Sequence, residues 1–261
     1  MTGTQLLRLH GVTKRFGAVQ ALAEVDFELD GGEVVALVGD NGAGKSTLVK
    51  VISGTDPADA GTMVFDGREV HVTTPQAAAA LGIATVFQDL ALCDNLDVVA
   101  NLFVGRERAR GPGRNLRVLD EQGMEHQALS LLERLSVTIP SVRTEVASLS
   151  GGQRQSIAVA RATMGDPKVV ILDEPTAALG VAQTRQVLDL VRRLRDEGHG
   201  VIVISHNLVD VFAVSDRIVV LRLGKRVATF STAETTAEEV VAAITGAQHE
   251  EVHSTYASEA S

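Results

Sequence analysis

The sequence predicts an α/β fold on a mostly parallel sheet, and three observations carry the prediction. The apolar runs Val34–Val38, Val169–Leu172 and Val201–Ile204 do not alternate with polar residues. Both faces of such strands must be covered, as in a parallel sheet. Between them lie segments of helical period. Ala128, Leu131, Leu132 and Leu135 recur at one-face spacing, and so do Val187, Leu190, Val191 and Leu194. Buried strands alternating with amphipathic helices make an α/β architecture. The first thirty residues differ. Val25, Phe27 and Leu29 alternate with Asp26, Glu28 and Asp30, the pattern of a half-buried strand, and Gly31-Gly32 ends it.

From about Asp89 to Asp166 the patterns are helical, with no convincing buried strand, so a mainly helical insertion is expected there. Within it, Gly105 to Arg117 carries five arginines together with Gly111, Pro112 and Gly113. This reads as a solvated connector or as a contact for an acidic partner. A last helix is expected from about Ala237 to Thr245, with Ala237, Val240, Val241 and Ile244 on one face. Thr235 with Glu238, or Thr236 with Glu239, could form its capping box. Residues 246–261 are small and polar and read as a disordered tail.

Composition narrows the function classes. The chain has 261 residues, 45% hydrophobic and 22% charged, with a formal net charge of −9, the profile of a folded globular chain. Nucleic-acid binding is disfavoured, because it needs clustered Lys and Arg. Cys93 is the single cysteine. It cannot form an internal disulfide and is read as a small buried or half-buried apolar residue. No apolar run reaches the roughly 20 residues that span a bilayer, and no secretory signal pattern is seen. Any service to a membrane is expected from its surface, through a partner.

The segment Gly39 to Ser46 reads G-D-N-G-A-G-K-S and fits G-x-x-x-x-G-K-[ST] between a buried strand and an expected helix, Ser46 to Ser53. Its glycines let successive backbone N–H groups turn toward one point, and the helix start aims its partial positive charge there. Lys45 adds a full charge within reach of β- and γ-phosphates, and Ser46 offers a hydroxyl to magnesium. Asp40, Asn41, Gly42, Ala43, Gly44 and Thr47 complete the nucleotide-binding segment. Val169 to Glu174 reads V-V-I-L-D-E and delivers two carboxylates at a strand's C-terminal end, where open α/β sheets bind ligands. Asp173 suits magnesium, directly or through water, and Glu174 suits polarising an attacking water. Leu149 to Gln155 reads L-S-G-G-Q-R-Q. Ser150 can cap the following helix, and Gly151-Gly152 would let a ligand approach the backbone, which makes a second helix start ready for phosphate.

The order G-D-N-G-A-G-K-S, Gln88, L-S-G-G-Q, V-V-I-L-D-E-P and His206 closely resembles the ATP-binding subunits of ABC transporters over residues 4–245. The resemblance implies one ATPase domain: a phosphate-loop core with a mostly parallel sheet, an N-terminal antiparallel β-subdomain, and a helical subdomain at about 89–166. It implies ATP and magnesium as ligands, and two subunits closing head to tail over two ATP molecules. Ser150, Gly151 and Gly152, with Gln153 in the same motif, would contact the nucleotide held by the other subunit's loop. Gln88 would reach magnesium and the attacking water and link the site to a membrane permease. His206 would contact the γ-phosphate and orient Glu174. Phe16, in K-R-F-G, matches the adenine-stacking aromatic, with a core phenylalanine as its alternative. The subunit would work peripherally, at the cytoplasmic face of the cell membrane.

A narrower resemblance rests on Asp89 to Glu107, D-L-A-L-C-D-N-L-D-V-V-A-N-L-F-V-G-R-E, and on E-P-T-A-A-L-G, Glu174 to Gly180. Both look like monosaccharide importers of the ribose, xylose and fructose type, which implies import of a sugar delivered by a separate binding protein. Most ABC subunits carry Asp where this chain has Gly180. One set of motifs means that the second half comes from another copy or another subunit. The rival readings are an ABC ATPase acting outside transport and a non-hydrolysing nucleotide-binding regulator.

Overall fold

A computed structural model describes residues 5–110 and 118–247. Two large sheets, a two-stranded hairpin and a group of helices are found among these residues. The first sheet is antiparallel: β1 (Gln5–Phe16), β2 (Val19–Asp30), β4 (Ala60–Phe65) and β5 (Arg68–Val70), in the order β2-β1-β4-β5. The second contains β3 (Val34–Val38), β6 (Ile83–Val86), β9 (Val169–Asp173), β10 (Gly200–Ile204), β11 (Arg217–Arg222) and β12 (Lys225–Ser231). Its order is β12-β11-β3-β10-β9-β6, and only β12 runs antiparallel to its neighbour. The helices are α1 (Lys45–Ile52), α2 (Pro75–Leu81), α3 (Val98–Phe103), α4 (Glu121–Arg134), α5 (Gly151–Thr163), α6 (Val181–Asp196), α7 (Leu208–Val214) and α8 (Ala237–Thr245).

The central strands are buried throughout because each face has its own cover. Val35, Leu37, Ile171 and Ile202 pack with α1 and with Leu7, Leu9 and Phe27 of the antiparallel sheet. Val34, Val170, Leu172, Val201 and Val203 face the opposite way, onto α3 to α6. A third cluster joins Ala36, Val38, Ile218 and Val220 to α7 and Val240 of α8. This period-two division of continuous apolar runs is what a doubly covered sheet requires.

Between β6 and β9 the described residues hold α3, α4, α5 and a small exposed hairpin, β7 (Ala109–Arg110) with β8 (Val118–Leu119). Within the segment Gly105 to Arg117, read as a solvated connector or a contact for an acidic partner, Ala109–Arg110 are exposed and pair with β8, and residues 111–117 lie outside the described residues. Cys93 is exposed, which corrects its reading as a buried apolar residue. The segment around it is pinned by Asn101, fully buried on α3. Asn101 Oδ1 accepts the Cys93 N–H at 2.7 Å, and Nδ2 lies within donating distance of the carbonyls of Cys93, Leu96 and Asp97. Cys93 thus holds its place through backbone groups, and its thiol stays outside. At the C-terminal end, Thr236 caps α8 and Glu239 closes the capping box. Residues 248–261, most of the expected tail, lie outside the described residues.

Candidate functional site: an ATP-binding cassette

Four parallel strands deliver the candidate residues to one edge of the sheet. β3 leads into the loop Gly39–Gly44 and then α1. Its neighbour β10 ends two residues before His206. The next strand, β9, ends at Asp173 with Glu174 directly after it, and β6 ends two residues before Gln88. The separate motifs converge because adjacent parallel strands all end on the same side.

The loop is clamped by its neighbours. A Cβ on Gly39, at φ 148°, would lie 2.1 Å from the Leu221 carbonyl oxygen of β11, so only glycine fits. The turn joining β11 to β12 grips the loop from the same side: Gly224 N–H donates to the Ala43 carbonyl at 3.0 Å. Lys45 Nζ donates across the loop to the carbonyls of Gly39 (2.6 Å) and Asp40 (3.0 Å). Burial moves the Lys45 pKa down, and the charges of Glu174, Asp40 and Asp173 oppose that shift. Helix α1 begins at Lys45, one residue earlier than expected. Ser46 and Thr47 therefore sit in its first turn, beside the N–H groups that have no helical partner.

Asp173 is half-buried. Desolvation, with the like charge of Glu174 second, holds its carboxyl above the ordinary aspartate range, and Lys45 opposes the shift. This donor set, two carboxylates with the Ser46 hydroxyl and the Gln88 amide, is the hard-oxygen kind that holds magnesium together with phosphate oxygens. Glu174 takes a left-handed backbone, φ 50°, a conformation that costs about 1 kcal/mol or more in a residue with a side chain. Its N–H donates to the Ile204 carbonyl at 2.9 Å, and its carbonyl accepts from Ala177 N–H at 3.1 Å. The carboxylate meets His206: Nδ1 lies 2.8 Å from Glu174 Oε2. An ionised carboxylate only accepts, so Nδ1 carries the proton and Nε2 is left for a ligand.

Thr176 and Asp210, which the sequence reading did not single out, form a buried hydrogen bond: Thr176 Oγ1 donates to Asp210 Oδ2 at 2.6 Å. It ties the loop after Glu174 to the helix after His206. Thr176 stands inside the E-P-T run, which was the available signal. Arg161 of α5 donates to the carbonyls of Leu90 (2.8 Å) and Ala91 (2.7 Å) and fixes the strand of chain that follows Gln88.

Phe16 ends β1, and its ring is 47% exposed, so the alternative of a core phenylalanine fails. Its hairpin partner β2 passes Ala21 and Leu22, the residues that contact Gly44. Ser150 caps α5: its Oγ accepts Gln153 N–H at 3.3 Å, and Gln153 Oε1 accepts Ser150 N–H at 3.1 Å. Gln153 Nε2 donates to Thr138 O at 3.2 Å, so both ends of this amide are engaged within the chain. Gly152 is buried against α6 rather than open to an approaching ligand. The Ser150 turn and the phosphate loop have different neighbours. Leu179 and Gln183 contact the first, and Ala21, Leu22, Leu221 and Gly224 contact the second.

Fold and site together define a phosphate-loop ATPase. The ABC transporter family model matches residues 22–177, and the chain belongs to that family. It is 45% identical to the xylose/arabinose import ATP-binding protein XylG of Sulfolobus acidocaldarius, over 93% of this chain and 94% of that one. It is 44% identical to the fructose import ATP-binding protein FrcA of Rhizobium meliloti, over 95% and 96% of the two chains. A nucleotide-free ATP-binding cassette from an ABC transporter superposes with a TM-score of 0.79 at 26% identity, covering 92% of this chain and 95% of that one. A bacterial ABC transporter cassette solved as a dimer gives a TM-score of 0.72 at 25% identity, covering 87% and 99%.

Proposed function

We propose that this protein is the ATP-hydrolysing subunit of a monosaccharide importer, and that ATP drives two cassettes to close head to tail. The observation that carries the reading is the convergence of Lys45, Ser46, Asp173, Glu174, His206 and Gln88 on one sheet edge, while the Ser150 helix start has a separate set of neighbours. A helix start suited to phosphate, yet built apart from its own chain's loop, is complete only against a second copy. Two exposed apolar residues support a partner on this side: Val181, 83% exposed, at the start of α6, and Val209, 77% exposed, three residues past His206. Sugar import rests on the high identity to xylose/arabinose and fructose import proteins over nearly the whole chain.

In this mechanism the loop N–H groups and Lys45 hold the β- and γ-phosphates, and Phe16 stacks on the adenine. Ser46 and Asp173, with Gln88 beside them, would hold magnesium, which would neutralise phosphate charge when bound. Glu174 accepts a proton from the attacking water while His206, donating from Nδ1, holds the carboxylate in place. Ser150 and Gly151 of the partner copy close over the γ-phosphate, with Gly152 packed behind them against α6. Such catalysis is mostly positioning and charge stabilisation.

The permease would seat in the open groove, about 750 Å³, between the core and the helical part. Phe87 and Asp89, on either side of Gln88, line it with Leu90, Phe103, Arg106 and Arg108. A movement of Gln88 at the nucleotide is therefore felt at the groove wall. A sugar-binding protein outside the membrane would bring the cargo. Among the described residues no helix is long and apolar enough to cross a membrane.

The test is Glu174→Gln. It should keep ATP affinity, lose hydrolysis by roughly 10²–10⁴-fold, the usual worth of a general base, and sediment as a dimer with magnesium and ATP. A variant that hydrolyses at the parent rate, or stays monomeric at high concentration, contradicts the proposal.

A further inference from the structure

The starts of α5 and α6 meet on one side chain. Gln183, in the first turn of α6, accepts the Gly180 N–H through Oε1 at 3.2 Å. Gly180 is the N-cap of α6 and has no side chain with which to cap it, so Gln183 supplies the oxygen that holds this turn. The other side of Gln183 abuts α5. A Cβ on Gly152 would lie 2.8 Å from Gln183 Cβ and 3.1 Å from Cγ, so only glycine at 152 admits the contact. Gln183 Oε1 also lies 4.0 Å from the Cβ positions of both Gly151 and Gly180. Leu179, beside Gly180, reaches within 3.0 Å of the Cβ position at Gly151.

The other end of this contact is the catalytic strand. From Glu174 the chain descends through consecutive turns, with Ala177 N–H on the Glu174 carbonyl at 3.1 Å and Leu179 N–H on the Thr176 carbonyl at 3.3 Å. Five residues separate Glu174 from Gly180, and the buried Thr176–Asp210 hydrogen bond stiffens the segment between them. The segment that leaves Glu174 thus runs without a break into Leu179 and Gly180, which Gln183 joins to the Ser150 turn.

We propose that Gln183 is a positioning residue that couples the two ATP sites: it locks the Ser150–Gly152 turn, which serves the partner's nucleotide, to the loop descending from Glu174, which serves its own. The proposal rests on the head-to-tail reading. Within the capping-box logic, Glu at this position would keep both the acceptor and the methylenes. Met would keep only the methylenes, and Ala would keep neither the acceptor nor Cγ.

The full-length chain tests this in two stages. Glu174→Gln with magnesium and ATP must first dimerise in sedimentation. If it does not, the head-to-tail reading falls, and Gln183 has no second site to couple. Where it does, adding Gln183→Ala should weaken the dimer at least tenfold while a fluorescent ATP analogue binds the monomer unchanged. Gln183→Met should also weaken it, and Gln183→Glu should match the parent. In the chain with Glu174 intact, Gln183→Ala should lower kcat and bring the Hill coefficient for ATP toward 1, with KM within twofold. A Gln183→Ala protein with the parent's dimer affinity and Hill coefficient overturns the proposal. Should Gln183→Ala fail to fold, the Met and Glu variants decide it, and identical behaviour of those two overturns it.

Discussion

Asp173 carries a charge that its own surroundings oppose. Burial, then the neighbouring Glu174, keeps its carboxyl above the ordinary range. A carboxyl whose pKa is higher folded than unfolded lowers stability when ionised, and the penalty disappears as pH falls through the folded value. Asp173→Asn is therefore expected to raise the Tm of the nucleotide-free protein near neutral pH, with the gain shrinking as pH falls toward and below about 4, where aspartate takes up its proton in the unfolded chain as well. Magnesium-dependent hydrolysis should be lost in the same variant. Thermal melts at the two pH values check the first point, and a lower neutral-pH Tm would contradict it. Lys45→Ala should weaken ATP binding by about tenfold or more, since it removes a charge-assisted contact to phosphate, and an unchanged nucleotide titration would refute that. These residues are legible in the sequence because their chemistry lies in residue type and short spacing. The exposures of Cys93 and Phe16 are not, because they depend on what packs alongside.

Among the elements, the strands with continuous apolar runs and the helices with 3.6-residue spacing are the ones whose signals lie within a few consecutive residues. β11, four apolar residues from Ile218 to Leu221, carried the same signal as β9 and went unread. β6 was missed because Ile83–Val86 is short and broken by Ala84 and Thr85. Both matter, since β11 clamps Gly39 and β6 positions Gln88. The helical part depends on a polar residue that periodicity does not single out. Asn101→Ala would strip the segment Cys93–Asp97 of its buried partners and should destabilise by about 2–3 kcal/mol, the cost of leaving buried backbone groups unpaired. A denaturant unfolding free energy lowered by less than about 1 kcal/mol would show that the segment holds by other means.

At the scale of the molecule, the groove beside Gln88 joins the nucleotide edge to the helical part, and its charge is a property of the assembled surface. Arg106 and Arg108 line it on a chain whose overall charge is −9. An acidic permease segment fits these cations. Arg106→Glu combined with Arg108→Glu should therefore abolish permease co-purification and sugar-stimulated ATPase while leaving ATP binding by the isolated subunit intact. Retained co-purification would remove this face from the interface.

The sequence by itself determined the phosphate loop, the paired carboxylates, the capped start of α5 and the alternation of strand and helix. Each is set by residues within a few positions of one another, where backbone geometry and side-chain period act directly. Tertiary structure alone decided that Thr176 meets an aspartate 34 residues on, that Arg161 fixes the segment after Gln88 across 71 residues, and that Gln183 fills the space left by Gly152. Those contacts depend on the order of strands in the sheet and on close packing between helices, and neither leaves a pattern in any local stretch of chain.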